Sequence, residues 1–462
     1  MELKVKAKLD PDFLPMELML REYEADLHAG VHVPFMVAIE RNQGYCEVTS
    51  IDVFPDGVDD ARNCAVVERV VKTLLWIYGG YRIHVHGSKV IYEFLRAAYD
   101  FGGLRDFDRG FMSRVYERPF QVILAENAAD MPRTKRSASA VGRHLNGCRI
   151  GFDAGGSDRK VSAVVDGVTV YSEEVIWHPK TQSDPEYQYQ GILESFRAAA
   201  SKMPRVDAIG VSSAGVYIDN RIMVASLFLK VSDENFEKRV KNMYLDAARE
   251  IGAGIPIVVA NDGDVTALAG AMDLNENGVL GIAMGTSEAG GYIDPDGNIT
   301  GWLNELAFVP VDFFPGAMED EWSKDRGCGV KYFSQDAVIK LAPAAGISLE
   351  ESLTPAEKLR AVQGLMEQGD TRAAAIYETI GAYFGYAVAY YARFYEIRHV
   401  LLMGRVTSGK GGAILLDRAK DVLKAEFPEL SKSISLELPD ETSRRVGQSI
   451  AAASLPEYKG AT

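Results

Sequence analysis

Two glycine-rich turns constrain this chain more than any other feature. Gly151-Phe152-Asp153-Ala154-Gly155-Gly156-Ser157 and Ala283-Met284-Gly285-Thr286-Ser287-Glu288-Ala289-Gly290-Gly291 each follow a short hydrophobic strand, and each opens one half of the region after residue 147. A glycine pair between two strands lets backbone N–H groups approach a phosphate with no side chain between, and Ser157 adds a hydroxyl donor. Either turn alone reads equally well as an ordinary hairpin. Two of the same make-up, opening similarly ordered halves, favour a phosphate clamp.

The order of elements supports the repeat. Predicted strands at Arg149–Ala154, Lys160–Val165 and Val168–Tyr171, the last two joined by the hairpin signal Asp166-Gly167, precede a helix that Asp184 caps and Pro185 begins. A strand at Asp207–Ser212, a helix from Asp233, a strand at Ile255–Ala260 and a helix opening near Val265 complete a βββαβαβα order. The second half restarts with strands at Val279–Met284 and Gly290–Ile293. A long helix over Ala373–Tyr395, a strand at His399–Met403, a helix at Ala413–Ala425, a strand at Ile434–Leu438 and a helix ending near Ser454 follow.

Chemistry-bearing residues fall at strand ends. Asp153 closes the first strand and is placed to orient a hydrated Mg²⁺, an ion usually held through waters and few carboxylates. The hydrophobic strand Val258-Val259-Ala260 delivers Asn261 and Asp262, whose carboxylate is placed to accept a proton from a substrate hydroxyl as that oxygen attacks phosphorus. A capping or turn role is the alternative for Asp262, and Asp264 is a candidate cap for the next helix. A third glycine-rich loop, Gly404-Arg405 through Gly412, follows the strand ending at Met403, where glycines allow a base or ribose to approach. It is no Walker loop, because Lys410 is followed by Gly411.

Upstream, residues 1–130 mix strands (Phe35–Glu40, Tyr45–Phe54, Tyr81–His86, Pro119–Glu126) with helices (Ala61–Tyr78, Ser88–Phe101). They read as an additional α/β domain of unassigned role, joined by a small, polar and basic linker over 131–147 to lobes at 148–275 and 276–462. His84 and His86 share one strand face, which without a third ligand reads as an ordinary polar surface rather than a metal pair. The 462 residues carry a formal charge of -15, so nucleic acid is not an expected partner. The short run Arg133, Lys135, Arg136 reads as a solvated linker. Cys46, Cys64, Cys148 and Cys328 lie far apart without a C-x-x-C pair. No secretory or membrane-spanning pattern is present, so a cytoplasmic protein without a membrane partner is expected.

Together these motifs resemble the ROK family of sugar kinases and repressors, within the superfamily of hexokinase and actin, over roughly Arg149 to the C-terminus. The resemblance implies an α/β, two-lobed actin/hexokinase-like (ribonuclease H-like) ATPase core. It implies ATP with Mg²⁺ in the cleft, the phosphates on Gly155, Gly156 and Ser157 and on Gly285, Thr286 and Ser287, and Gly404 and Arg405 on the adenosine side. Asn261 and Asp262 match the family's N-D motif, with the aspartate as general base. Ser213-Ala214-Gly215 takes the place of a substrate loop, and Asn304-Glu305 that of a sugar-binding glutamate.

Two departures stand out. Phe308 replaces a zinc-binding histidine, and of the family's cysteine cluster only Cys328 remains, so no zinc is expected. With Val330 replacing the terminal glutamate of that pattern, the pocket loses two polar partners, which leaves the usual hexose or N-acetylhexosamine specificity unsupported. The alternatives are a less polar pocket edge, or one completed by Trp302, Lys324 or the N-terminal region. The expected function is an ATP-dependent sugar or polyol kinase, with a homodimer compatible. A sugar-responsive regulator is the alternative, although the N-terminal region lacks the basic helix-turn-helix of such repressors. A third reading is a nucleotide-binding assembly or activator protein, as in actin-like filaments or dehydratase activators; the activators use a cysteine-ligated cluster, for which this chain has no spacing.

Overall fold

In the computed structural model, residues 2–136, 141–439 and 441–458 are described, with the side chains of 441–446 excepted. The chain packs into two compact units. One comprises 138–281, 291–300 and 439–462; the other comprises 1–137, 282–290 and 301–438. Part of the expected linker, residues 137–140, lies outside the described residues.

The first of these units is built on a five-stranded sheet in the order Ile257–Asn261, Ala208–Ser213, Cys148–Ala154, Asp158–Val165, Val168–Ile176. The first three strands are parallel, and the last two continue as antiparallel hairpins. Asp166 and Gly167 both take positive φ, the backbone a two-residue hairpin of this twist needs. The Cys148–Ala154 strand is buried along its whole length, and Ile150, Phe152, Phe196, Ile209, Val211 and Tyr244 make the core.

Gly151 pairs with Gly210 across the two central strands. A Cβ on either would collide with backbone of the C-terminal helix Glu441–Ala453. The two glycines thus let the last helix of the chain lie against the first strand of this unit. The expected boundary of the second lobe, 276–462, therefore gives way at its C-terminal end, where the helix Glu441–Ala453 packs here instead.

The other unit contains a four-stranded sheet, Cys46–Val53, Val33–Glu40, Arg82–His86 and Gln121–Leu124, and the helix Asp60–Tyr78, buried along most of its length. Residues 1–130 do not stand apart as their own compact body. Asn304 N–H and Glu305 N–H donate to the carbonyls of Ile77 (3.0 Å) and Trp76 (3.1 Å), Leu14 N–H donates to Asp312 (3.0 Å), and Tyr383 OH donates to Asp10 (2.6 Å). Hydrogen bonding with residues more than two hundred positions away is invisible to local periodicity.

The helices Met16–His28 and Asp106–Tyr116, and the hairpin Val216–Ile218 with Arg221–Val224, are further elements that the sequence pattern does not mark. Neither helix has a side-chain cap, and Gly110 interrupts the second at a propensity cost of about 1 kcal/mol. The helix expected from Asp233 is broken by a π turn at Phe236–Val240 before Met243–Ile251. Among the basic residues of the linker, Arg136 pairs with Glu47 at 3.1 Å, and Lys135 bonds Cys46 through its backbone and the Gln43 carbonyl through its ammonium. His84 meets Glu40 (2.7 Å) and His86 the Ala125 carbonyl (2.9 Å), each separately engaged.

Candidate functional site

In the unit holding residues 138–281, the carboxyl ends of the three parallel strands bring Asp153, Ser213, Asn261 and the following Asp262, four of the expected site residues, to one end of the sheet. Register places Asp153 opposite Ser212, and both Ala154 and Asn261 opposite Ser213. Loops beyond such strand ends are where α/β sheets bind ligands. Ser212 Oγ donates to Asp153 Oδ1 (2.8 Å), and Gln448 donates to Ser212 (3.1 Å). Asp153 is buried, and burial lifts its carboxyl to about 6, with the Ser212 hydrogen bond opposing and the nearby Asp262 charge adding.

Asn261 is the N-cap of the helix Asp262–Leu274, its Oδ1 accepting from Gly263 N–H at 2.7 Å. Its amide donates to the Gly215 carbonyl (2.7 Å), tying the Ser213-Ala214-Gly215 loop to Asn261. Asp264 does not cap this helix, because the helix already begins at Asp262; Asp264 instead accepts from Tyr292 N–H (3.1 Å). Asp262 is half-buried at the first helical position and accepts from Gly263 N–H at 3.1 Å. Burial raises its carboxyl pKa, while the Gly263 N–H and the Lys180 ammonium oppose the rise. Ser213 receives the Tyr244 hydroxyl at 2.9 Å.

The turn at Gly155-Gly156-Ser157 stands on the same strand end as Asp153. Trp177 Nε1 donates to the Gly155 carbonyl (2.8 Å), and Ser157 Oγ bonds Asp158 at 3.0 Å. A Cβ at Gly156 would lie 2.9 Å from Lys180 Nζ, so the ammonium runs directly beside this turn. Lys180 is exposed and makes no hydrogen bond or ion pair among the described residues. Nothing in the sequence marks Lys180, which stands outside every motif, in a short 3-10 turn at Pro179–Thr181.

The other unit holds the second turn. Arg405 Nη2 donates to Thr286 Oγ1 (2.6 Å), joining two expected nucleotide residues. Gly404, at φ 99°, packs against the Met284 backbone, where any Cβ would collide. Gly285 is closed by its own N–H to the Ser287 carbonyl at 2.9 Å. Asn304 is buried and accepts from Tyr395 OH (3.0 Å), and Glu305 beside it is half-buried. Glu288 of the turn is buried, and burial raises its carboxyl well above the usual range, with the Glu305 charge adding.

Where the family resemblance placed zinc, the chain has a buried ionic network. Lys72, Arg69 and Arg105 meet Glu68, Asp108 and Asp325, three cations for three anions. Arg69 grips Asp325 with two bonds (3.1 and 3.2 Å), and Cys328 Sγ lies 3.4 Å from the same carboxylate. Burial acts against ionised Asp325, but Lys72 and Arg69 hold its pKa below the ordinary value; burial pushes the Cys328 thiol up. Phe308 stacks on Trp76, ring centroids 4.2 Å apart, and Trp302 packs edge-on to Tyr78 at 4.7 Å. Residues 68–108 thus complete this edge, while Lys324 stays exposed.

Compared with protein families and with curated protein sequences, the chain finds no match. Solved structures do match. A ROK transcriptional regulator, described as a homologue of the E. coli MLC protein, aligns with a TM-score of 0.50 at 17% identity, over 67% of this chain and 79% of its own. A ROK hexokinase from Thermus thermophilus (0.49, 18%) and a ROK glucokinase from Streptomyces griseus in complex with glucose and AMPPNP (0.48, 19%) each align with 66% of this chain and 97% or 98% of theirs. At such identities the likeness speaks for fold. The chain has the α/β fold of the ROK proteins, as its paired glycine turns imply. About a third of it lies outside each alignment.

Proposed function

We propose that this protein is an ATP-dependent kinase that transfers the γ-phosphoryl group to a hydroxyl of a sugar or related polyol. The observation that carries the reading is the placement of Asp153 at the carboxyl end of one parallel strand and Asp262 directly after another, near enough that the Asp262 charge adds to the raised pKa of Asp153, beside a glycine turn and Lys180. A general base works best with a pKa near the working pH, and burial moves Asp262 in that direction. Asp262 accepts the acceptor hydroxyl's proton, Asn261 and the Gly215 carbonyl fix the loop that positions the acceptor, and Lys180 favours the ionised base.

Mg²⁺ suits the hard oxygens of Asp153, which would orient it through water; bound, it neutralises phosphate charge. Gly155, Gly156 and Ser157 of the first turn, and Gly285, Thr286 and Ser287 of the second with Gly404 and Arg405, are residues we assign to nucleotide.

The test is ADP release from ATP and Mg²⁺ across a panel of sugars and polyols. With an acceptor in hand, Asp262→Asn should cut turnover by about a hundred- to ten-thousand-fold while nucleotide still stabilises the fold. Near-normal turnover would move the base elsewhere. Sugar binding with no acceptor-stimulated ADP release would favour a regulator, a role the fold also serves.

A further inference from the structure

The geometry points to a divalent transition-metal site at His28, His32 and Asp52, on a part of the chain that the kinase reading does not use. One ligand atom from each, two imidazole nitrogens and a carboxylate oxygen, all lie within 4.8 Å of one another. His28 is the last residue of the helix Met16–His28, and His32 follows in the loop before the strand Val33–Glu40. Asp52 sits on the neighbouring strand, where Pro34 pairs with it. The fold therefore brings two residues of an H-x-x-x-H segment to a carboxylate from another element, a convergence that spacing alone does not announce.

The three groups are free to ligate. The His28 and His32 rings meet edge-on at 5.4 Å, and His32 Nε2 lies 3.9 Å from Asp52 Oδ2, too far for a hydrogen bond. The described residues give them no other polar partner, unlike His84 and His86, which are each hydrogen-bonded. The His32 and Asp52 side chains are 36% and 44% exposed, so an ion reaches them without any opening of the core. Ligands about 2.0–2.1 Å from a tetrahedral ion stand roughly 3.4 Å apart, so rotamer adjustments at two surface side chains close the site.

Two imidazoles with one carboxylate suit Zn²⁺, Ni²⁺, Co²⁺ or Cu²⁺ and not Mg²⁺ or Ca²⁺, which take oxygen. Three protein ligands leave at least one position for water. The bound ion would tie the end of the N-terminal helix to the edge of the four-stranded sheet. It is separate from Cys328, whose neighbourhood is filled by the ionic network.

The experiment is calorimetric titration of the full chain with Zn²⁺ after dialysis against a chelator, with Co²⁺ absorption as a second readout. About one ion per chain should bind in wild type and in a His84→Gln control. His32→Ala and Asp52→Ala should each weaken binding by at least about tenfold, while their metal-free unfolding midpoints match wild type. No saturable binding up to roughly millimolar Zn²⁺, or undiminished affinity in His32→Ala, overturns the site.

Discussion

Lys72→Met tests how the region around Cys328 is held together. Lys72 is fully buried, its ammonium 3.4 Å from Asp108 and bonded to Asp325. Removing it leaves three buried carboxylates facing two guanidinium groups, and among the described residues Asp108 keeps the Trp76 N–H as its hydrogen-bond donor. Breaking a buried ion pair by deleting one partner costs about 3–5 kcal/mol.

An independent bound agrees. The network can relieve itself by protonating Asp108, and protonating an ordinary aspartate (reference about 3.9) at pH 7 costs about 4 kcal/mol, falling to about 1.5 kcal/mol at pH 5. The expected result in urea unfolding is therefore a loss of about 3–5 kcal/mol at pH 7 that shrinks to about 1–2 kcal/mol at pH 5. A loss below about 1 kcal/mol at pH 7, or one that does not shrink with acid, would refute the account of a balanced ionic knot.

Three further outcomes are expected. Asp153 has a folded pKa raised to about 6, so the stability it lends is present below about 4 and lost as pH rises through 6; Asp153→Asn should be the more stable protein at pH 8 by up to about 3 kcal/mol, and a deficit there would contradict its burial cost. Millimolar MgATP or MgADP should raise the melting temperature in a Mg²⁺-dependent way, and no rise would count against both glycine turns as nucleotide sites. Lys180→Met should shift the acid limb of the pH–rate profile upward, because the ammonium opposes the raised pKa of Asp262, whereas Lys180→Arg should restore it; a profile unmoved in Lys180→Met would remove Lys180 from the site.

Much of the sheet edge was legible in the sequence because its signals are local. Strand periodicity, the Asp166-Gly167 hairpin, the Asp184 cap and the paired glycine turns each depend on residues within a few positions of one another, and the same locality set Asp153 and Asp262 at strand ends. What local pattern cannot carry is which distant groups share a buried space. Lys180 reaches Gly156 only through the fold of the loop between them, and Asp264 yields the cap to Asn261 because the helix starts earlier than its apolar register suggests. The N-terminal residues read as a separate domain, since nothing in their sequence reveals that Trp76 and Ile77 would lend carbonyls to Asn304 and Glu305. Missing zinc ligands were evident from the sequence alone. Only the tertiary structure shows what replaced them: buried charge must be balanced by whatever the fold brings within a few ångströms, and here that is Lys72, Arg69 and Arg105 from the other end of the chain.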